Sequence, residues 1–89
     1  MKNKSAYILE QGSTVSFTIQ NGPIKEVGVN GCQIDDVIDW AKRKIEEFNG
    51  RFPCPENHAA MVNLQAALDN LEFRRKNREA RKVEGTSAA

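Results

Sequence analysis

Val15, Phe17 and Ile19 alternate with Ser16, Thr18 and Gln20, the period that puts apolar side chains on one face of a strand. Ala6 to Glu10 has the same extended character, and Gln11-Gly12-Ser13 between the two segments reads as a hairpin turn. Asn21-Gly22-Pro23 punctuates the chain again. Ile24 to Val29 is then expected to be a third short extended segment, with Ile24, Glu26 and Gly28 on one face. A meander of such short strands is marginal by itself, because its single apolar face has to be covered by something else.

From Ile34 the period changes. Ile34, Val37, Ile38, Ala41, Ile45 and Phe48 make one stripe at helical spacing. Asp35 and Asp36 suit the first turn, where carboxylates oppose the positive end of the helix dipole, and Asn49-Gly50 is expected to stop the helix. Trp40 lies off the stripe and is expected to face the sheet edge or another subunit. After the stiff link Arg51-Phe52-Pro53-Cys54-Pro55, with Pro55 at the first helical position, a second helix is predicted to run to Val83. A short link favours antiparallel neighbours, so the two helices should form a hairpin.

The expected fold class is therefore α+β: one domain over 1–89, with a short antiparallel β-meander (6–31), a two-helix antiparallel hairpin (33–83) and a tail (84–89). Glu84-Gly85-Thr86 within that tail has the composition to fold back as a short ordered end. A chain of 89 residues buries a modest core, which points to self-association. Apolar residues at 39% and charged residues at 28% make an ordinary globular mixture. Met1 to Ser5 lacks the apolar stretch of a signal peptide and no run approaches membrane-spanning length, so a soluble cytoplasmic protein is expected, with no membrane partner. Cys32 and Cys54 stand far apart without further ligands nearby, and read as two buried reduced thiols.

A net charge of +1 gives no whole-molecule attraction to nucleic acid, so any electrostatic function depends on where the charges lie. Asp35 to Glu72 carries eight acidic residues against four basic ones, whereas Phe73 to Val83 carries six basic residues against Glu79 alone. The predicted seam of the second helix runs Asn57, Met61, Leu64, Leu68, Leu71, then Arg75, Arg78 and Lys82, with Arg74 beside it. Its middle is a packing surface and its end is cationic. Arg74 and Arg78, one turn apart, can set two forked donors against one phosphate pair. Arg75, Lys76 and Arg81 read equally well as a solvated face. Phe48 and Phe52 flank Asn57 in sequence and offer either a stacking surface for a base or plugs in the core. If the second helices of two subunits lay antiparallel, Asn57 of one would approach Arg78 of the other.

The glycines of Asn21-Gly22-Pro23-Ile24-Lys25 and Val29-Asn30-Gly31-Cys32 would let backbone N–H groups approach a ligand, but neither stretch is a phosphate-loop pattern. His58 is the sole histidine and has no nucleophile placed beside it, so it reads as a helix-start residue rather than a catalytic one. The clustered Asp35, Asp36 and Asp39 read as helix-start charge. No catalytic constellation, metal site or cofactor is expected, and the chain reads as a binding protein rather than an enzyme.

Three stretches, FTIQNGPIKEVGVNGCQIDD at Phe17 to Asp36, FNGRFPCPEN at Phe48 to Asn57 and RRKNREARKVEGT at Arg74 to Thr86, resemble the phage Thoeris anti-defence sponges, which share a helical hairpin with the anti-CBASS cyclic-nucleotide sponges. The similarity covers nearly the whole chain. It implies a phage protein in the host bacterial cytoplasm that sequesters, without degrading, the glycocyclic ADP-ribose (gcADPR) signal made by TIR-domain proteins. The resemblance also implies assembly as a homodimer or hexamer, with cyclic trinucleotides held at a separate oligomer interface as in some relatives. The resemblance implies binding positions at Phe48, Asn57, Arg74 and Arg78: the two arginines for phosphate, Phe48 for the base and Asn57 for a ribose or base edge. The residues alone leave two other classes open. One is a small nucleic-acid-binding regulator using the basic end of the last helix, and the other is a helical-hairpin adaptor.

Overall fold

The computed structural model describes residues 7–82 and 85–87. The expected strand start at Ala6 and the helix end at Val83 lie outside them.

Strands β1 (Ile8–Gln11) and β2 (Thr14–Phe17) pair antiparallel, with Ile8 opposite Phe17 and Gln11 opposite Thr14. Gly12 and Ser13 close the hairpin, and Gly12 takes a positive φ of 61°. Along β2 the alternation sorts as expected: Val15 and Phe17 are half-buried while Thr14 and Ser16 are exposed. The strand is shorter than its pattern, since Ile19 contributes only a single parallel bridge to Cys32.

A third strand does not form. Ile24–Val27 is instead one helical turn, α1, and Pro23 is the reason. Its ring fixes φ at −69°, and its carbonyl accepts from the amides of Glu26 at 3.0 Å and Val27 at 2.9 Å. Gly28, at φ 78°, then turns the chain away.

The loops on either side of α1 are tied to each other. The Gln20 side chain donates to the carbonyls of Gly22 and Gly28 at 3.1 and 2.8 Å, and accepts from the Asn30 amide at 2.9 Å. Asn30 in turn accepts from the Asn21 amide and donates to the Asn21 carbonyl, both at 2.8 Å. Next to this, Gln20 N–H donates to the Cys32 carbonyl and Cys32 N–H to the Thr18 carbonyl, both at 2.7 Å. The glycines expected to bring backbone near a ligand thus bring it near another stretch of backbone. A β-carbon on Gly31 would stand 2.4 Å from the carbonyl carbon of Ile19.

Helix α2 (Ile34–Arg51) starts where the period changes. Asp36 is only 2% exposed and accepts from the Gln33 N–H at 2.9 Å, so one of the two first-turn carboxylates satisfies a helix-start donor directly. Gly50 does not stop the helix, which continues to Arg51 and ends at Phe52, immediately before Pro53. The residue before a proline is pushed out of the helical region, and that limit acts before any glycine cap does. Ile34 and Phe48, the two ends of the predicted stripe, are both exposed. Trp40 faces the hairpin as expected. Its ring meets Phe17 edge-on at 5.6 Å and its Nε1 donates to Glu10 at 2.9 Å.

Helix α3 (Pro55–Ala80) begins with Pro55 at its first position and Cys54 as its cap, the thiol sulfur accepting from the Asn57 amide at 3.4 Å. Cys54 is therefore half-buried, unlike the fully buried Cys32. The helix stops at Ala80, short of Val83, because Lys82 adopts a φ of 61°. The helices pack on each other. Gln33, at the head of α2, shares a cleft with Arg74 and Arg78 at the tail of α3, so the hairpin is antiparallel.

The molecule measures 44 × 29 × 16 Å, little thicker than one layer of helix. Its interior is correspondingly slight: among the described residues Cys32 alone is a buried apolar side chain. Helix α3 has two apolar faces. Met61, Leu64, Leu68 and Leu71 are half-buried towards α2. On the opposite side Val62 is 54% and Phe73 69% exposed, with Ala59 and Ala66 also open between the helix start and Phe73. No helix among the described residues is long and apolar enough to cross a membrane.

Candidate functional site

Two concave regions lie at opposite ends of the hairpin. The first is a cleft of about 140 Å³ between the tail of α3, which supplies Arg74 and Arg78, and the segment Gly22-Pro23-Ile24. Gln20, Gln33, Gly85 and Thr86 complete its wall. Arg78 is 8% exposed, a rare degree of burial for an arginine. Its Nη2 donates to the Thr86 carbonyl at 2.9 Å. Arg74, a turn earlier, is exposed on the rim. Of the end expected to fold back, Glu84 lies outside the described residues, and Gly85–Ser87 do return to α1: Gly85 accepts from the Lys25 amide at 2.8 Å and Ser87 Oγ donates to Glu26 at 3.4 Å.

The remaining cations of the basic stretch are arranged differently. Arg75, predicted in the seam, is exposed and clamped between Glu72 and Glu79, its Nη1 lying 2.8 Å from Glu79. Its hydrogen bond with Glu72 raises its pKa and holds the Glu72 carboxyl below the usual range. Residues three and four positions away on a helix are neighbours, so Arg75 is drawn sideways out of the seam. Arg81 donates to Asn77 Oδ1 at 3.0 Å, and Lys82 has left the helix. Arg74 and Arg78 remain as the pair that lines the cleft.

The second region, about 320 Å³, lies between the β-hairpin and α2 and is bordered by Ser13, Val15, Trp40, Lys44 and Phe48. Glu10 organises its charge. It accepts from Trp40 and pairs with Lys44 Nζ at 3.1 Å, which lowers the Glu10 pKa and raises that of Lys44. The Lys44 ammonium stands 5.4 Å from the Trp40 ring centre. Phe48 is 51% exposed at the rim, with the Arg51 guanidinium 5.6 Å from its ring. Around the linker, Asn57 donates to the Phe52 carbonyl at 3.3 Å, and Asn49 accepts from the Cys54 amide at 3.2 Å. Phe52 is exposed rather than a core plug.

Arg74 and Arg78 therefore share one end of the molecule, while Phe48 and Asn57 sit at the other. Asn57 and Arg78 are 21 positions apart on one helix, about 32 Å at the usual rise, so a single chain does not unite the four expected binding residues. Gln20 and Gln33 in the cleft wall carried no signal in the sequence, because chain crossings place them there rather than any local pattern. Cys32 is buried, which pushes its thiol pKa up. His58 is exposed near the start of α3. No group of three or more His, Cys, Asp or Glu among the described residues is placed to hold a metal.

These features define a small α+β helical-hairpin protein with a cationic cleft at one end. No protein-family model matches the chain. Its sequence is 38% identical over 76 residues to Thoeris anti-defense 1 of Bacillus phage SBSphiJ7, an alignment that takes in 84% of this chain and 54% of that protein. The chain is a relative of the Thoeris anti-defence proteins. It spans about half the length of the relative it matches.

Proposed function

We propose that the protein counters Thoeris defence as a sponge: it binds and sequesters the gcADPR signal made by TIR-domain proteins in the host bacterial cytoplasm, and does not cleave it. The observation that carries this reading is the cleft that joins Arg78, buried, to Arg74 on its rim, at the end of a helix whose relative bears an anti-Thoeris name. A cyclic ADP-ribose carries a diphosphate and an adenine. Two forked donors one turn apart suit the diphosphate. Phe48 takes the base by stacking and Asn57 a ribose or base edge.

The site is a property of two chains. A cleft of about 140 Å³ is below the roughly 300–1,000 Å³ of pockets that enclose a small-molecule ligand. An antiparallel pair of α3 helices would bring Phe48 and Asn57 of one subunit to the arginines of the other. The second apolar face of α3, through Val62 and Phe73, supports that pairing. A homodimer is thus the smallest competent unit, with a hexamer as a further assembly that holds cyclic trinucleotides at a separate interface. A nucleic-acid-binding reading is less well supported, since Arg75 and Arg81 are engaged by neighbours on their own helix.

Sequestration is tested by incubating the protein with gcADPR, filtering, and heating the retained protein. Intact ligand in the heated supernatant is expected. Ligand left in the first filtrate, or returned chemically altered, contradicts the proposal. The mass in solution should be at least that of a dimer.

A further inference from the structure

Gly85–Ser87 lie at the mouth of the cationic cleft, and the way they are fastened there bears on how an anion gets in. Arg78 is 8% exposed, and part of its guanidinium is spent on the Thr86 carbonyl at 2.9 Å. An anion cannot reach the whole fork while that carbonyl stays in place. Gly85 and Thr86 also form part of the cleft wall, which limits the space to about 140 Å³. Lys25 N–H donates to the Gly85 carbonyl at 2.8 Å, Arg78 to the Thr86 carbonyl at 2.9 Å and Ser87 Oγ to Glu26 at 3.4 Å. Gly85, Thr86 and Ser87 carry no large apolar side chain to anchor them.

Resting on the anion-site reading above, we propose that Gly85–Ser87 is a displaceable strap, whose Thr86 carbonyl occupies a donor on Arg78 that the phosphate of an incoming diphosphate takes over. The exchange is favourable because a charged acceptor makes a stronger bond to guanidinium than a neutral carbonyl does. The strap lowers affinity by the fraction of time it occupies the site. Its release is reported at a distance from the arginines, by the Lys25 amide, which loses the Gly85 carbonyl.

The test is residue-resolved amide exchange by NMR on the full chain, with inorganic pyrophosphate as the probe. The expected result has two parts. The Arg74 and Arg78 side-chain Nε–H signals shift, and the Lys25 amide exchanges about tenfold faster or more. The Val27 amide, bonded to Pro23 within the same turn, serves as the internal reference and keeps its rate. Shifted arginine signals with a Lys25 amide that is unchanged or slower overturn the strap while leaving the anion site standing. Arginine signals that never shift overturn the anion site, and the strap with it. Gly85→Ala provides a second measurement that leaves both arginines intact. Gly85 has a φ of 82° and its added β-carbon would stand 3.0 Å from Lys25 Cγ, so the strap should loosen. Pyrophosphate affinity should rise several-fold as Lys25 exchange speeds up; faster exchange with equal or weaker affinity overturns the proposal.

Discussion

Gly31→Ala should destabilise the protein more than its chemistry suggests. The added β-carbon would lie 2.4 Å from the Ile19 carbonyl carbon, 2.6 Å from the Gln20 nitrogen and 2.7 Å from the Ile19 oxygen. Carbon contacts settle near 3.5 Å, so one backbone has to retreat by about 1 Å. All three obstructing atoms are main chain, and none can rotate away. Overpacking of this kind costs about 1–3 kcal/mol. The retreat also stretches the two 2.7 Å bonds between Cys32 and the Thr18–Gln20 stretch, each worth about 0.5–1.5 kcal/mol. The two contributions overlap, because the movement that relieves the clash is the one that breaks the bonds. The total is about 2–4 kcal/mol, which for a domain of this size lowers Tm on the order of 10–30 °C. Thermal unfolding followed by far-UV circular dichroism measures it. Gly12→Ala serves as the control, since its β-carbon meets nothing within 4 Å and only the positive φ of 61° opposes it, at about 1–2 kcal/mol. A Gly31→Ala protein that melts within a degree or two of the parent would refute the close approach of these backbones.

Three further outcomes are expected. Gly50→Ala should raise stability by about 0.5–1 kcal/mol, because Gly50 sits inside α2 with open space around it; a loss in urea denaturation would restore it as a helix stop. Arg74→Ala should weaken gcADPR binding about ten- to hundredfold, by losing one charge-assisted contact, whereas Arg75→Ala should leave it within a factor of about two; equal losses in a calorimetric titration would remove the distinction between them. Glu10 has a lowered pKa in the folded protein, so its contribution to stability is present above the ordinary carboxyl value near pH 4.3 and is lost as pH falls through the folded value. Glu10→Gln should therefore flatten the acid side of the stability profile, and an unaltered slope below about pH 4.5 would count against the Glu10–Lys44–Trp40 cluster.

The elements that could be read from the chain are those whose period exceeds one turn or one strand pair. The alternation through Val15 and Phe17 marked the strand face, and Trp40 lay far enough off the α2 stripe to leave the sheet edge or another subunit as its partner, of which the hairpin contact is the one seen. Ile24–Val27 escaped because one helical turn has no period to detect, and Pro23 gives the same signal for a turn as for a helix start. Arg75 was misplaced for a different reason. Its heptad position put it in the seam, while Glu72 and Glu79, at equally legible spacings, pull it out. For α2 the nearest glycine was given the role that Pro53 performs. In the candidate site Arg74 and Arg78 were legible as a pair. Gln20 and Gln33 were not, since their place in the cleft wall follows from the crossing at Cys32 and the packing of the two helices.

The Thr86 carbonyl belongs to the same chain as the guanidinium it meets, eight residues further on. A tethered partner acts like a solute at a fixed effective concentration set by its connection. Diluting the protein does not diminish it, and adding salt screens it little, because a carbonyl bears no net charge. Any free phosphate compound meeting Arg78 therefore competes against a constant background rather than against water alone. On the proposed reading, such a background sets a threshold that favours a ligand bringing several contacts at once over an anion bringing one.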